Sequence, residues 1–146
     1  MSDWIVDSSV VAKWILPETD SAHAQELISE IQHSGGQLIV LDLAFPEVAN
    51  AIWKRHRQKL LTADEAREFL GALSSAPVRV EAAMPLLPAA MDIAVRYDRA
   101  IYDALFVALS RQLNVSAITA DEPLYNVVHS QFPQIVLLKN WKPTRQ

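Results

Sequence analysis

Short apolar runs alternate with longer stretches of helical periodicity along this chain, and this alternation limits the possible folds more than any other feature. We predict strands at about 4–7, 38–41, 78–81, 116–119 and 135–138. Helical stretches lie near 9–16, 20–34, 44–59, 63–74, 86–97, 100–113 and 122–130. Strands separated by helices pair in parallel through right-handed crossovers. The pattern therefore predicts an α/β fold, a three-layer α/β/α sandwich around a central parallel sheet of about five strands.

The length and composition fit one domain. The chain has 146 residues, of which 51% are hydrophobic and 3 are glycine, so a single core is expected rather than a disordered chain. Thr62 and Glu65 form a capping-box pattern, and Gly35-Gly36 marks the end of the second helix. No linker or repeat divides the chain. We assign residues 1–138 to a single domain and residues 139–146 to a polar, loosely held C-terminal tail.

Composition also excludes several classes of function. The chain has no cysteine, which rules out disulfides, thiolate zinc sites and cysteine nucleophiles. No segment approaches the roughly 18 uncharged apolar residues that a bilayer crossing needs, and no signal-like run precedes the first strand, so we expect a cytoplasmic protein without a membrane partner. The net charge of −4 argues against nucleic-acid binding by bulk charge alone, which leaves only local basic patches to consider.

Four acidic residues lie beside segments that read as buried core: Asp7, Glu47, Asp103 and Asp121. A carboxylate in apolar surroundings is costly unless a positive charge or hydrogen-bond donors compensate it. Four such acids suggest that they converge on a shared cation, and an all-oxygen site favours a hard divalent ion, Mg²⁺ or Mn²⁺. In parallel sheets, ligands bind beyond the carboxyl ends of the strands. The pattern therefore indicates metal-assisted chemistry on a phosphate ester.

Two of these acids follow predicted strands and have a simple alternative role as helix N-caps. Asp121 precedes Glu122-Pro123, an ordinary start for a helix. Asp7 is followed by Ser8 and Ser9, which can cap equally well and would leave its carboxylate free. We expect both acids to face one crevice if their strands are neighbours.

The other two acids lie in predicted helices. Glu47 follows Pro46 in a first helical turn, where an acid also gains from the helix dipole. Asp103 is the only charge between residues 100 and 109, in a helix that is apolar on all sides. Its alternative is an internal ion pair with Arg99 or Arg96.

Four segments carry a resemblance to a known family. They are Ile5-Val6-Asp7-Ser8-Ser9-Val10-Val11 with Pro17-Glu18, Glu47-Val48-Ala49-Asn50, Tyr102-Asp103-Ala104-Leu105-Phe106-Val107-Ala108-Leu109, and Thr119-Ala120-Asp121. Each fragment is weak alone, but the ordered set, which spans nearly the whole chain, resembles the PIN-domain ribonucleases and in particular the VapC-type toxins of type II toxin–antitoxin systems.

The resemblance implies a PIN-like fold, an Mg²⁺- or Mn²⁺-dependent endoribonuclease activity on RNA, and a cognate antitoxin as partner. It assigns catalytic and metal-holding roles to four residues, Asp7, Glu47, Asp103 and Asp121. It adds three supporting polar groups, Ser8, Asn50 and Thr119. Glu47 would bind the metal directly or orient the attacking water.

The dense basic run Lys54-Arg55-His56-Arg57-Gln58-Lys59 continues the helix that begins near Glu47. We predict that Lys54, Arg55 and Arg57 position RNA phosphates. The alternative is a solvated helix end whose cations are favoured by the dipole.

Helices with large apolar side chains, such as those around Trp14, Trp53 and Phe69, are mostly core, although part of this surface is suited to a partner helix or a second copy. We expect a homodimer. Two other functions compete with the nuclease. One is a phosphatase or phosphoacceptor domain, which also places an aspartate after its first strand but usually needs a lysine where Asp121 lies. The other is a non-catalytic PIN-like module that binds RNA or protein.

Overall fold

The computed structural model describes residues 3–144 and shows a five-stranded, fully parallel sheet in the order β3-β2-β1-β4-β5. The strands are β1 (Trp4–Val6), β2 (Leu38–Leu41), β3 (Arg79–Glu81), β4 (Ala117–Thr119) and β5 (Ile135–Leu137). Each lies within the range predicted for it, so the predicted parallel sheet is confirmed.

Seven α-helices connect and cover the strands in the described part of the chain. They are α1 (Ser8–Ile15), α2 (Ser21–His33), α3 (Ala44–Arg57), α4 (Ala63–Ser74), α5 (Leu87–Tyr97), α6 (Ile101–Leu113) and α7 (Glu122–Val128). Short 3-10 helices at Met84–Leu86 and Leu138–Asn140 precede α5 and follow β5. No helix among residues 3–144 is long and apolar enough to cross a membrane.

The sheet separates two hydrophobic cores because neighbouring side chains of a strand point to opposite faces. Ile5 of β1 belongs to the core under α5, α6 and α7, whereas Val6 belongs to the core under α1 to α4. Residues 104–110 of α6 are all buried, as its uninterrupted apolar sequence predicts. The predicted three-layer α/β/α sandwich is confirmed.

The predicted start of α4 and the predicted end of α2 are both found in the structure. The Thr62 side chain accepts a hydrogen bond from the Glu65 backbone and the Glu65 side chain accepts one from Thr62, which completes the capping box of α4. Gly35 lies two residues after α2 and has a φ of 81°. This left-handed conformation is unfavourable for residues with a Cβ atom and is readily adopted by glycine.

Residues 139–144 of the predicted C-terminal tail are held against the domain, unlike the loosely held segment that their polar composition predicts, whereas residues 145–146 lie outside the described part of the chain. Trp141 is only 7% exposed and joins the core on the α1–α4 side. A ring nitrogen of His23 lies 2.8 Å from the Trp141 carbonyl oxygen, and the Thr144 amide donates to Glu30 at 3.1 Å. One large apolar side chain therefore attaches the tail to α2, because its burial outweighs the polarity of its neighbours.

The strand order reverses between β1 and β4, which lie side by side with Val6 paired to Ile118. The chain leaves β2 and β3 on one side of β1, then crosses over to β4 on the other side. Such a reversal opens a crevice at the carboxyl ends of the two strands. Asp7 comes directly after the end of β1, and Asp121 lies two residues after the end of β4.

Candidate active site

Asp7 lies at the end of β1 and is the N-cap of α1. Its carboxylate accepts the Ser8 backbone N–H at 2.9 Å, the Ser9 hydroxyl at 2.9 Å and the Thr119 hydroxyl at 2.7 Å. The sequence suggested that the serines would cap the helix and leave Asp7 free, and that was wrong. Asp7 takes the cap because its short side chain follows the strand in extended backbone, which is the N-cap conformation.

A cleft of about 330 Å³ opens beside Asp7, and all four predicted acids line it. Its wall consists of Asp7, Ser8, Ser9, Ala12, Glu47, Val48, Ala51, Tyr102, Asp103 and Asp121. Four separate elements supply the acids: the start of α1, the first turn of α3, the first turn of α6 and the cap of α7. The structure thus brings the predicted acids together at the point where strand order reverses.

The pKa values of Asp7 and Glu47 are raised. For Asp7 the main cause is burial, and the charge of Asp103 adds to it, whereas the hydrogen bonds from Thr119, Ser9 and Ser8 partly oppose it. For Glu47 partial burial is again the main cause, with repulsion from Asp7 and Asp103, and the Ser8 hydroxyl offsets part of the rise. In the protein alone, both carboxyl groups are therefore harder to ionise than free ones, and a bound cation would favour their charged form.

Asp103 pairs with Arg99, one turn before it on the approach to α6. An Arg99 guanidinium nitrogen lies 2.9 Å from an Asp103 carboxylate oxygen, and both side chains are about a quarter exposed. The ion pair considered as an alternative for Asp103 is therefore present, and Asp103 lines the cleft as well. The Arg99 Nε is buried and has no hydrogen-bond partner, so this guanidinium is incompletely satisfied where it lies.

Thr119 connects the two strand ends. It is fully buried, donates to Asp7 and accepts the Asp121 backbone N–H at 3.1 Å. Asp121 caps α7 by accepting the Leu124 N–H at 3.1 Å, and its side chain borders the cleft. The structure thus places Thr119 beside the acids, in a position suited to the supporting role predicted for it.

The oxygen donors of this cleft suit a hard divalent cation. Carboxylates and hydroxyls surround it, and no sulfur or imidazole borders it. As the side chains lie, no group of three or more histidine or acidic residues among residues 3–144 is close enough to share one ion. That spacing is compatible with Mg²⁺, which typically takes one or two protein carboxylates and completes its shell with water and phosphate oxygens.

The remaining predicted residues lie on α3. Asn50 is exposed one turn after Glu47 and does not line the cleft. Lys54 and Arg57 are exposed, and Arg57 lies over the Trp53 ring, 5.5 Å from its centroid. Arg55 instead binds Glu18 at 2.6 Å and the Pro17 carbonyl at 2.8 Å, so its guanidinium is already engaged.

Ser9 has a role at the site that its position in the sequence did not reveal. Its hydroxyl donates to Asp7 and accepts the Ala120 N–H at 3.0 Å, so it connects the two strand ends beside Thr119. The contact with Ala120 spans 111 residues, and only the pairing of β1 with β4 creates it.

The fold and this acidic cleft define a class of protein. Residues 4–129 match the PIN domain, and the chain belongs to the PIN domain family. Ribonuclease VapC3 of Pyrobaculum aerophilum is 34% identical over 134 residues, which cover 90% of this chain and 96% of that protein.

Solved structures share the fold. The Pyrobaculum aerophilum protein PAE2754 superimposes with a TM-score of 0.72 at 22% identity, over 94% of this chain and 85% of that one. A chain of a toxin–antitoxin complex from Klebsiella pneumoniae gives 0.66 at 13% identity, over 93% of this chain and 98% of that one.

Proposed function

We propose that this protein is a metal-dependent endoribonuclease that hydrolyses RNA phosphodiester bonds as the toxin of a toxin–antitoxin pair. The observation that carries the proposal is the convergence of four carboxylates from distant segments on one cleft at the β1–β4 switch point. The ribonuclease name of the 34% identical relative supports the substrate class. We expect the protein to cleave RNA in the cytoplasm, where RNA is translated.

Asp7, Glu47, Asp103 and Asp121 are the candidate ligands of the ion, which is Mg²⁺ or Mn²⁺ in this proposal, and one or two of them would hold it while water completes its shell. When bound, such an ion supplies positive charge to the scissile phosphate and lowers the pKa of water. Ser9 and Thr119 fix the Asp7 carboxylate by their hydroxyl hydrogen bonds. Glu47 is exposed to solvent at the cleft wall, and we assign it to orient the attacking water or to bind the ion directly.

The basic end of α3 would guide the RNA backbone. Lys54 and Arg57 are exposed and continue from the helix turn that carries Glu47 and Asn50, so phosphates along this surface would lead to the cleft. Arg55 is paired with Glu18, whose negative charge offsets its own, so it would position a phosphate only when that pair opens. Replacing Lys54 and Arg57 by alanine should lower RNA affinity and flatten its salt dependence by about two phosphate contacts.

Two protein partners complete the proposal. A groove of about 340 Å³ between α3 and α4, lined mainly by apolar residues such as Ile52, Trp53 and Leu70, is suited to an amphipathic antitoxin helix. The toxin–antitoxin complex among the structural neighbours supports an antitoxin partner. A separate stripe on α5, where Met91 and Val95 are 54% and 77% exposed, is suited to a homodimer contact.

Cleavage of a circular single-stranded RNA tests the activity, because a circle has no end for an exonuclease. The purified protein should linearise it with Mg²⁺ or Mn²⁺ and not with EDTA, and Asp7→Asn should lose the activity while keeping its fold. Asp64→Asn is the matched control, since Asp64 lies on the exposed face of α4. An Asp7→Asn variant that cuts like wild type would refute the site assignment.

The second candidate, a non-catalytic module, is favoured by the Arg99–Asp103 ion pair, which neutralises one acid without any metal. In that case neither circular nor total cellular RNA would be cut with any ion, while RNA or the antitoxin would still bind. Cleavage that requires the ion excludes this alternative.

A further inference from the structure

Tyr102 is a large aromatic side chain that the core does not use. It is the second residue of α6, directly before Asp103, and its side chain is 60% exposed. Its neighbours further along the helix, from Ala104 to Ser110, are buried. The start of α6 therefore leaves one aromatic ring in solvent at the edge of an otherwise buried helix.

This ring borders the acidic cleft. Tyr102 is the one aromatic residue among those that line it, and it shares the wall with Glu47 and Asp7. It also borders a narrow crevice that Leu43, Ala44 and Phe106 line, so its base lies against the fold while much of the ring is open. In the described residues 3–144, Tyr102 forms neither an aromatic pair nor a cation–π contact.

The size of the cleft limits what it can hold. Ligand sites commonly enclose about 300–1,000 Å³, and this cleft of about 330 Å³ is at the lower end. With a divalent ion bound, the carboxylates of the cleft would accommodate a phosphate, whereas the apolar part of the wall consists of the small side chains Ala12, Val48 and Ala51, which offer no flat face for a base. The base beside that phosphate would therefore lie at the rim, where Tyr102 is exposed.

We propose that Tyr102 stacks on an unpaired base of the RNA strand beside the scissile phosphate and so holds the strand over the acidic cleft. This inference rests on the function proposed above and extends it to the form of the substrate. Only an unpaired base has a free face for an aromatic ring, so the substrate at the cut is single-stranded. Stacking is also suited to an acidic cleft, because it attracts the strand without a positive charge.

The test measures binding of two short strands by fluorescence anisotropy. One is a labelled eight-nucleotide single-stranded RNA of mixed sequence, and the other is an eight-unit abasic ribose-phosphate strand with the same charge. Asp7→Asn protein, which does not consume the RNA, is titrated into each labelled strand in the presence of Mg²⁺. The Asp7→Asn protein is the parent, and it should bind the RNA strand more tightly than the abasic strand. Adding Tyr102→Leu to this parent should lower its affinity for the RNA about five- to thirtyfold and leave its affinity for the abasic strand unchanged.

Matched variants separate the ring from other effects. Tyr102→Phe keeps the aromatic face and should retain the base preference, whereas the slope of affinity against salt should stay the same in all Tyr102 variants. Met84→Ala removes an exposed apolar side chain that lines neither the cleft nor the groove between α3 and α4, and it should leave the preference unchanged.

Three results would overturn the proposal: equal binding of the two strands by the parent, an intact preference in Tyr102→Leu, or a preference lost in Met84→Ala instead. The nuclease assay on circular RNA is separate. Wild type that fails to cut would refute the proposed function. Cutting by wild type, together with equal binding of the two strands in the anisotropy assay, would refute only the role of Tyr102.

Discussion

Replacing Thr119 by valine removes a fully buried hydroxyl while keeping nearly the same shape. The hydroxyl donates to the Asp7 carboxylate at 2.7 Å and accepts the Asp121 N–H at 3.1 Å. The variant therefore loses one hydrogen bond to a charged group and leaves one backbone donor without its partner. No other part of the core needs to change.

The expected cost follows from these two contacts. A hydrogen bond to a charged group contributes about 1.5–3 kcal/mol, and an unpaired N–H costs about 1 kcal/mol where water can partly replace the partner. Asp121 is partly exposed, so the lower figure applies to its N–H. Thr119→Val should thus destabilise the protein by about 2.5–4 kcal/mol, equivalent to a fall in Tm of about 5–16 °C for a domain of this size.

Thermal and urea unfolding at pH 8 in EDTA measure this cost. Thr119→Ser is the matched control, since it keeps the hydroxyl and loses one methyl group, at about 1 kcal/mol. In an Asp7→Asn background Thr119→Val should cost about 1 kcal/mol less, because the acceptor is then neutral. A valine variant as stable as the serine variant, or a cost unaffected by Asp7→Asn, would refute the hydrogen-bond account.

Three further changes test the charges around the cleft. Burial raises the pKa of Asp7 above its unfolded value of about 3.9, so ionising Asp7 opposes folding. In EDTA, wild type should therefore lose stability relative to Asp7→Asn as the pH rises above about 4 and until Asp7 is ionised in the folded state, and parallel pH profiles of Tm for the two proteins would contradict this. Arg99→Gln frees Asp103 from its ion pair and should therefore tighten Mn²⁺ binding, measured by calorimetry, about fivefold. Weaker binding by this variant would show instead that Arg99 supports the site. Glu18→Gln removes the charge that holds Arg55 and should cost about 1 kcal/mol in low salt and less in 1 M NaCl, whereas a salt-independent cost would mean that charge is not the cause.

The fold could be predicted because its signals are local. Four of the five strands are short apolar runs and α6 is apolar on all sides, so their burial follows from sequence alone, whereas the edge strand β3 is mostly exposed. The acids Asp7 and Asp121 could be placed near each other because both follow strands of a parallel sheet, and the pairing of β1 with β4 confirms that arrangement.

The contacts that set each acid's environment could not be predicted in the same way. The hydrogen bond between Thr119 and Asp7 joins residues 112 apart, and the Glu18–Arg55 pair joins residues 37 apart. Such pairs depend on how helices pack and on side-chain rotamers, which periodicity does not determine. Trp141 was the available signal for the attached tail, since tryptophan is highly buried on average.

The order of the strands also determines when the cleft can form during synthesis of the chain. Asp7 is made early, but the cleft needs Asp103 and Asp121 as well, and β1 must lie between β2 and β4 before the four acids meet. A ribosome that has produced only the segment up to β3 therefore carries a chain with no assembled cleft. A protein that destroys RNA would in this way remain harmless to the message that encodes it until most of its own synthesis is complete.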